Sequence, residues 1–387
     1  MNQRQVNIQE ALDRLHTAAS GLDRHATFME VCGTHTMSAF RSGLHSLMPD
    51  NITLLSGPGC PVCVTAQGDI DLLIDLALRA EVVLCTYGDM MRVPGQKGSL
   101  EKARGQGADV RTVYSSMDAV RLAQSQPTRQ VVFAAVGFET TAPATAAAVR
   151  QADKDGLDNF SVLASHKRVV PAMTGLLDAG EVNLDGFLCP GHVSVIIGSE
   201  PYRPVVERYG QPCVIAGFEE LGMAAGLAGL TEMVLDGRCD LINQYPQAVS
   251  KGGNRTAQAL IAEVFEPADM RWRGLGVIPA SGLAVRSRYQ SLDALHRFGL
   301  TVPQDCEPPG CVCGRVISGT ATPHDCKLFG TVCTPINPIG PCMVSSEGTC
   351  QAWFKYRRVP ELGPKTNHRS QQRPRSPHPD VPAGACP

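Results

Sequence analysis

The chain has 387 residues, of which 43% are hydrophobic and 19% charged, so it can bury a sizeable core and its length predicts two or three domains. Its net charge of −2 shows no basic excess, which argues against nucleic-acid binding. No apolar run approaches the roughly 20 residues of a membrane span, and residues 1–9 contain no signal-peptide core. We therefore expect a cytoplasmic protein, in a compartment where thiols stay reduced.

Apolar periodicity divides the chain into alternating strands and helices. Residues 5–22 carry apolar positions at helical spacing and predict an N-terminal helix. Strands are predicted for short apolar runs at 27–31, 52–55, 82–85, 131–136, 161–164, 186–188 and 213–216. Helices are predicted between them at 69–79, 142–152, 172–179 and 221–235. Because the strands are apolar on both faces, they predict buried parallel sheets in an α/β fold.

We predict two related parallel-sheet α/β domains that face a cleft, followed by a third, Cys-rich domain. Two short echoes suggest the relation, although short matches also arise by chance: Gly137-Phe-Glu139 with Gly217-Phe-Glu219, and Cys32-Gly-Thr-His35 with Cys189-Pro-Gly-His192. The predicted units are an N-terminal helix packed on the third domain (1–25), domain I (26–128), domain II (129–240), the Cys-rich domain III (241–358) and a disordered tail (359–387).

Fifteen cysteines in a reducing compartment indicate metal or redox chemistry. Zinc sites usually show paired Cys-x-x-Cys knuckles, which this region lacks, whereas an iron–sulfur cluster needs four thiolates in looser spacing. An iron–sulfur cluster is therefore favoured over structural zinc and over free or transiently bridged thiols. The spacing leaves the choice of four ligands open, because seven cysteines lie close together: Cys306, Cys311, Cys313, Cys326, Cys333, Cys342 and Cys350.

Two further thiol motifs lie near the N-terminus. Cys60-Pro-Val-Cys63 follows a predicted strand and precedes a helix, a position where the helix N-terminus stabilises a thiolate and two sulfurs can bridge. The alternatives are half of a zinc site or two buried thiols. Cys32 and His35 end another strand and together could bind a metal or form an activated nucleophile. The alternative is a buried cysteine beside a hydrogen-bonded histidine.

Polar residues follow several predicted strands, at the edge where α/β sheets bind ligands. Glu139 and Thr140 are candidate site residues, with helix capping by Thr140 or Thr141 as the alternative. Asp89 is a further candidate, with an ion pair to Arg92 as its alternative. His192 also follows a strand, although a single histidine is more often structural.

Taken together, these segments resemble the HypD family of hydrogenase maturation factors. The likeness covers about residues 5–358, and the tail after Tyr356 departs from it. It rests on Cys32-Gly-Thr-His-Thr36, Gly57-Pro-Gly-Cys-Pro-Val-Cys-Val-Thr65, Tyr87-Gly-Asp-Met-Met-Arg-Val-Pro94, Gly137-Phe-Glu-Thr-Thr-Ala-Pro143, Pro190-Gly-His192, Cys326-Lys-Leu-Phe-Gly330, Val332-Cys-Thr-Pro335 and Gly340-Pro-Cys-Met-Val-Ser-Ser-Glu-Gly-Thr-Cys350.

The resemblance implies two α/β domains and a third domain that holds a [4Fe–4S] cluster. It implies a role in assembling the Fe(CN)2CO group of [NiFe]-hydrogenases. In that family a small partner, HypC, shares the iron, cyanide arrives through HypE working with HypF, and the hydrogenase large subunit is the recipient. Cys32 would be the iron-binding thiol, and Cys60 with Cys63 the redox-active pair. The cluster ligands would be Cys311, Cys326, Cys333 and Cys350, with Cys313 and Cys342 as rivals.

Elementary chemistry agrees with these implications. Low-spin iron carrying CO and cyanide needs soft, electron-rich donors, which thiolates provide. His35 could hydrogen-bond a cyanide nitrogen or the Cys32 sulfur. We hypothesise that the cluster re-reduces the Cys60–Cys63 disulfide and that the dithiol serves redox steps at the iron. The alternatives are an iron–sulfur-dependent thiol–disulfide oxidoreductase and a zinc-stapled interaction protein.

Overall fold

The computed structural model describes residues 3–356, so the predicted disordered tail at 359–387 lies outside the described residues. The strands are β1 (Ala26–Glu30), β2 (Ile52–Ser56), β3 (Val82–Thr86), β4 (Asp109–Thr112), β5 (Gln130–Gly137), β6 (Phe160–His166), β7 (Gly186–Pro190), β8 (Cys213–Ala216), β9 (Leu241–Asn243), β10 (Phe265–Trp272) and β11 (Gly276–Val285).

The helices alternate with these strands along most of the chain. They are α1 (Gln3–Ser20), α2 (Gly33–Arg41), α3 (Leu44–Leu47), α4 (Pro61–Val64), α5 (Gln67–Ala77), α6 (Leu100–Gly105), α7 (Ser116–Ser125), α8 (Ala142–Lys154), α9 (Val169–Ala179), α10 (Gly191–Ile197), α11 (Arg203–Tyr209), α12 (Glu220–Leu235), α13 (Arg255–Val264), α14 (Ala294–Arg297), α15 (Cys313–Ile317) and α16 (Thr349–Tyr356). None of the helices within residues 3–356 combines the length and apolarity that a membrane span requires.

Two parallel sheets confirm the predicted α/β class. One has five strands in the order β2-β1-β7-β8-β9, and the other has four in the order β4-β3-β5-β6. Every neighbouring pair in both sheets is parallel. The central strands are apolar because helices cover both faces; β3 and β7 are buried along their whole length. Each fully buried large side chain, such as Phe133, contributes roughly 1.5–3 kcal/mol.

The strand order corrects the predicted division at residue 128. The first two strands join β7, β8 and β9 in the five-stranded sheet, while β3 to β6 form the other sheet. A boundary at 128 would cut the four-stranded sheet between β4 and β5, and one at 240 would separate β9 from its sheet. Local periodicity identifies strands, but it does not identify their distant partners.

If the strands of each sheet are numbered by their order along the chain, both sheets begin with the same spatial order: second, first, third, fourth. The five-stranded sheet adds its fifth strand at the end. The sequence echoes do not fall on matching strands of that order. Gly137-Phe-Glu139 follows β5, the third strand of its sheet, whereas Gly217-Phe-Glu219 follows β8, the fourth strand of the other. Cys32 follows β1 and Cys189 lies in β7, and these two strands are neighbours in one sheet. The shared order is therefore independent of the echoes.

The N-terminal helix packs on α12, and this corrects the prediction that it packs on the third domain. Leu12 and Leu15 of α1 are buried in one apolar cluster with Leu227 and Leu230 of α12. Arg14 forms a bidentate pair with Glu232 at 2.9 and 2.8 Å. Helix α12 is apolar over most of its surface, so it needs a cover on the side away from the sheet, and α1 provides it.

After β9 the chain forms α13, the antiparallel hairpin β10–β11 and α14. The Cys-rich segment, residues 306–350, follows with short helices and 3₁₀ turns. One contiguous apolar cluster extends from both sheets into this segment. It contains Met29 and Phe187 of the five-stranded sheet, Val132 of the four-stranded sheet, and Cys313 and Cys342 of the Cys-rich segment. The Cys-rich segment is thus packed into the shared core.

Candidate metal and thiol site

The candidate site lies at the topological switch point of the five-stranded sheet, between β1 and β7. Strands β1 and β7 are neighbours, but the chain leaves β1 towards β2 on one side and continues from β7 towards β8 on the other. Ligands of open α/β sheets bind in the crevice that this switch creates at the carboxyl ends of the strands. Cys32 follows β1 and His192 follows β7, so both lie at this edge.

Cys32 precedes helix α2, and its backbone is fixed by buried Glu30. The Cys32 N–H donates to Glu30 Oε2 at 2.8 Å, and the Thr36 hydroxyl donates to Glu30 Oε1. Burial raises the pKa of Glu30 to about 7, against the lowering effect of these hydrogen bonds. Burial also raises the pKa of the Cys32 thiol to about 12, although N–H groups of His35 and Thr34 favour its thiolate. Only 8% of Cys32 is exposed.

A second carboxylate reaches this edge from the Cys-rich segment. Glu347 Oε1 accepts a hydrogen bond from the Thr34 hydroxyl at 2.9 Å, and a Cβ on Gly33 would lie 2.4 Å from the Glu347 Cβ. Burial raises the pKa of Glu347. Sequence reasoning missed both Glu30 and Glu347 as site residues. Glu347 lies inside the quoted motif at 340–350, but only the fold shows that it approaches Cys32.

His35 and His192 both pack against the Phe218 ring. The centroid distances to Phe218 are 5.3 Å for His35 and 3.7 Å for the stacked His192. His35 is fully buried, its Nε2–H donates to Gly217 O at 3.0 Å, and burial lowers its pKa to about 4. The neutral ring therefore has no second N–H for a cyanide nitrogen. His192 is partly exposed, and burial lowers its pKa as well, so it carries a neutral N–H at this edge.

The structure pairs Cys60 with Cys63 as a disulfide, with a Cα–Cα distance of 5.2 Å. Cys60 precedes α4, and the Cys63 N–H points to its sulfur at 3.3 Å. The preceding Gly59 touches the Cys32 loop: Gly33 N–H donates to Gly59 O at 3.0 Å, and a Cβ on Gly59 would lie 2.1 Å from Cys32 N. The dithiol loop and the Cys32 loop are thus in direct contact.

The C-terminal cysteines converge on one cavity, whose lining includes Cys311, Cys313, Cys326, Cys333, Cys342 and Cys350. The sulfurs of Cys313 and Cys342 are 3.0 Å apart, and Ile339 N–H donates to Cys333 Sγ at 3.3 Å. As the side chains are placed, no group of three His, Cys, Asp or Glu within residues 3–356 is arranged to hold a metal ion. The donor chemistry, soft sulfurs in an otherwise apolar cavity, fits an iron–sulfur cluster. The four predicted ligands and both rivals line the cavity.

Helix packing brings the three thiol groups together. Helix α4, with Cys63, packs on α15, which begins at Cys313, and on the 3₁₀ turn Pro341–Met343, which contains Cys342. Helix α16, with Cys350, packs on α2, directly after Cys32. The Cys313 and Cys342 sulfurs therefore belong to the two segments on which α4, the helix that carries Cys63, packs.

Asp89 and Arg92 contact the Cys-rich segment rather than each other. Asp89 Oδ2 accepts a hydrogen bond from the Ser345 hydroxyl at 3.0 Å, and Arg92 donates to the Pro335 carbonyl. Ser345 is two residues before Glu347, which binds Thr34 on the Cys32 side. The segment at 335–347 thus connects the edges of both sheets.

Glu139 and Thr140 occupy a different place. Glu139 is buried and accepts from Val169 N–H at 3.1 and 3.3 Å, and burial raises its pKa to about 7. It lines a cavity of about 290 Å³ with Arg168, Ile197 and Phe265, and no cysteine is among the described lining residues. Thr140 is exposed. Thr141 precedes α8 but its hydroxyl donates to Phe138 O, so the predicted side-chain cap is not formed.

Fold and site together define a thiol-rich α/β protein with a buried cysteine at a sheet switch point, a disulfide beside it and a cysteine-lined cavity behind the disulfide. The sequence model of the HypD family, described as "Hydrogenase formation hypA family", matches residues 6–357. "Hydrogenase maturation factor HypD2" of Bradyrhizobium diazoefficiens is 48% identical over 339 residues, 86% of this chain and 89% of that protein.

Two other relatives give the same result. "Hydrogenase maturation factor HypD" of Cupriavidus necator is 47% identical over 343 residues, 87% of this chain and 90% of that protein. The protein of the same name from Escherichia coli is 44% identical over 356 residues, 91% and 95% of the two chains. The chain belongs to the HypD family of hydrogenase maturation factors, which confirms the resemblance found in its sequence.

Proposed function

We propose that this chain carries the iron at Cys32 while the Fe(CN)2CO group of a [NiFe]-hydrogenase is assembled, with Cys60 and Cys63 as a redox pair. One observation carries the proposal: the loop of the disulfide touches the loop of a buried thiol at a sheet switch point, through Gly59 and Gly33. A thiol held there can take a cargo metal within reach of a two-electron couple.

The surroundings of Cys32 suit a transient iron ligand. The buried thiol is protonated at neutral pH because its pKa is raised to about 12, so iron must displace the proton. Iron is then bound by a soft thiolate, the donor type that a low-spin centre with CO and cyanide needs. The backbone N–H groups of Thr34 and His35 favour the sulfur's negative charge, and Glu30 fixes the loop that presents it.

The neutral His192 and the partly buried Glu347 flank the same edge. With His35 Nε2–H engaged by Gly217, His192 is the better placed histidine to donate to a cyanide nitrogen. A single protein thiolate leaves most iron positions open, which agrees with a second thiolate from a small partner such as HypC. Cyanide transfer from HypE, working with HypF, and delivery to the hydrogenase large subunit complete the proposed partners.

The dithiol can deliver two electrons and two protons as Cys60 and Cys63 close their disulfide. The cysteine cavity behind it would hold a [4Fe–4S] cluster through Cys311, Cys326, Cys333 and Cys350. Such a cluster, when bound, is a one-electron relay. Helix α4 is the element common to both, since it bears Cys63 and packs against the cavity segments.

The test is an infrared spectrum of the full chain, purified without oxygen after co-expression with the other maturation proteins. Bands in the cyanide and CO stretching region are expected for the native chain and for the control Cys85→Ala, which removes a buried thiol from β3. Cys32→Ala should lose the bands and keep the visible absorbance of the cluster. Retained bands in Cys32→Ala would contradict the proposal.

A second function is favoured by the disulfide alone, namely a general thiol–disulfide oxidoreductase. Rapid turnover of a generic disulfide substrate, lost in Cys60→Ser but unchanged in Cys32→Ala, would support it. The proposed assembly role predicts instead that both substitutions impair iron loading.

A further inference from the structure

Arg273 is a fully buried cation between the dithiol helix and the Cys-rich segment. It follows β10 at the hairpin tip and is 1% exposed. Its Nε donates to Thr65 O at 3.1 Å, and its terminal nitrogens donate to Gln67 Oε1 at 3.1 and 3.2 Å. Its backbone N–H donates to Val64 O at 3.0 Å. Four hydrogen bonds thus tie the hairpin tip to the end of α4 and the start of α5.

All of these acceptors are neutral. Among residues 3–356, no carboxylate forms an ion pair with Arg273. Asp71 is bridged to Arg273 by Gln67, whose Nε2 lies 3.4 Å from Asp71 Oδ2; burial raises the pKa of Asp71, and the Arg273 charge acts against that rise without an ion pair. A buried charge without an adjacent counter-charge is costly. From this fixed place the charge acts on groups in the surrounding core.

The surrounding core is rich in sulfur. The next residue, Gly274, has a φ of +75°, and a Cβ on it would lie 2.2 Å from the Gly314 Cα. The hairpin tip therefore touches α15 immediately after Cys313. On the other side, Val64 and Thr65, which accept the backbone and Nε bonds, directly follow Cys63. The guanidinium is fixed between two segments that each contain a cysteine.

We propose that Arg273 is a positioning residue for the Cys60–Cys63 pair, whose fixed positive charge favours the reduced pair over the disulfide. This inference rests on the proposed redox role. Reduction breaks one S–S bond and takes two electrons and two protons from an external dithiol, which becomes a disulfide itself. A cation held against the residues that follow Cys63 stabilises the thiolate that forms when one thiol of the reduced pair releases its proton, whereas the disulfide carries no charge to stabilise.

The test equilibrates the full chain anaerobically with mixtures of reduced and oxidised dithiothreitol, traps free thiols by alkylation, and quantifies the peptide that contains Cys60 and Cys63 by mass spectrometry. Arg273→Met keeps the aliphatic stem and removes the charge. It should shift the equilibrium towards the disulfide by about tenfold, or about 30 mV for a two-electron couple. Arg273→Lys keeps the charge and should stay within about threefold of the native chain.

The matched control is Arg271→Met, in β10 two residues before Arg273, because the Arg271 side chain is 43% exposed and pairs with Asp305 at 3.9 Å; it should cause no shift. If Arg273→Met does not fold, Arg273→Gln serves as the neutral variant with the same expected shift. A native equilibrium in a folded neutral variant would overturn the inference while leaving the proposed function intact. A native pair that does not cycle at all would overturn both.

Discussion

Two buried glutamates at the carboxyl edges of the two sheets invite comparison. Glu30 ends β1 and Glu139 follows β5, and burial raises the pKa of each to about 7. Their partners differ: Glu30 binds the Cys32 backbone and Thr36, whereas Glu139 binds Val169 N–H and lines a cavity that has no cysteine among its described residues. Similar burial and similar pKa shifts therefore accompany two different environments, and only the Glu30 environment contains the thiol at which we propose that iron binds.

The difference between the two edges is tested most strongly by replacing each carboxylate with an amide. Glu30→Gln leaves a buried N–H or O–H facing an amide NH2, at a cost of about 1–3 kcal/mol, and misplaces Cys32. We expect at least about a fivefold loss of cyanide and CO band intensity per protein, whereas Glu139→Gln should retain the bands. Equal losses in both variants would mean that the two edges do not differ in function.

A second comparison uses glycine contacts at the two edges. Gly59→Ala would drive a Cβ to 2.1 Å from Cys32 N, a backbone atom that cannot yield without moving the loop. We expect about 2–3 kcal/mol of destabilisation, measured by urea unfolding. Gly88→Ala, after β3, is the control, because its Cβ would meet Thr112 at an ordinary 3.7 Å. A harmless Gly59→Ala would show that the two loops are not packed as described.

The third prediction concerns pH and Glu139. Its folded-state pKa of about 7 exceeds the ordinary 4.5, so its stabilising contribution is complete below about 4.5 and is lost as the pH rises through 7. Between those limits, Glu139→Gln should gain roughly 3 kcal/mol relative to the native chain. Urea unfolding at pH 5 and pH 8 measures the difference. A constant difference between the two chains would show that Glu139 titrates normally.

Much of the fold could be predicted from local pattern. The apolar run at 131–136 lies within β5, and the run at 27–31 overlaps β1, because a buried parallel strand needs apolar residues on both faces. The packing of α1 on α12 and the joining of β1 with β7 could not be predicted, since they depend on contacts between distant parts of the chain.

Some residues of the candidate site could likewise be predicted from the sequence, and others could not. Cys32, Cys60 and Cys63 could be named as candidates from the sequence, because they lie next to predicted strand ends in motifs that resemble the HypD family, and their roles stay predictions. Glu30, Glu347 and Arg273 were missed, because a single charged residue in a sequence gives no sign that it will be buried. Their proposed roles rest on burial, which is only partial for Glu347, and on partners that only the fold brings together.

The most direct measurement of the central claim is an anomalous difference map, recorded at the iron absorption edge from crystals of the chain loaded anaerobically by the maturation proteins. The account predicts an iron peak bonded to Cys32 Sγ, separate from any iron in the cavity lined by Cys311 and Cys350. A loaded sample with cyanide and CO bands but no iron at Cys32 would contradict it.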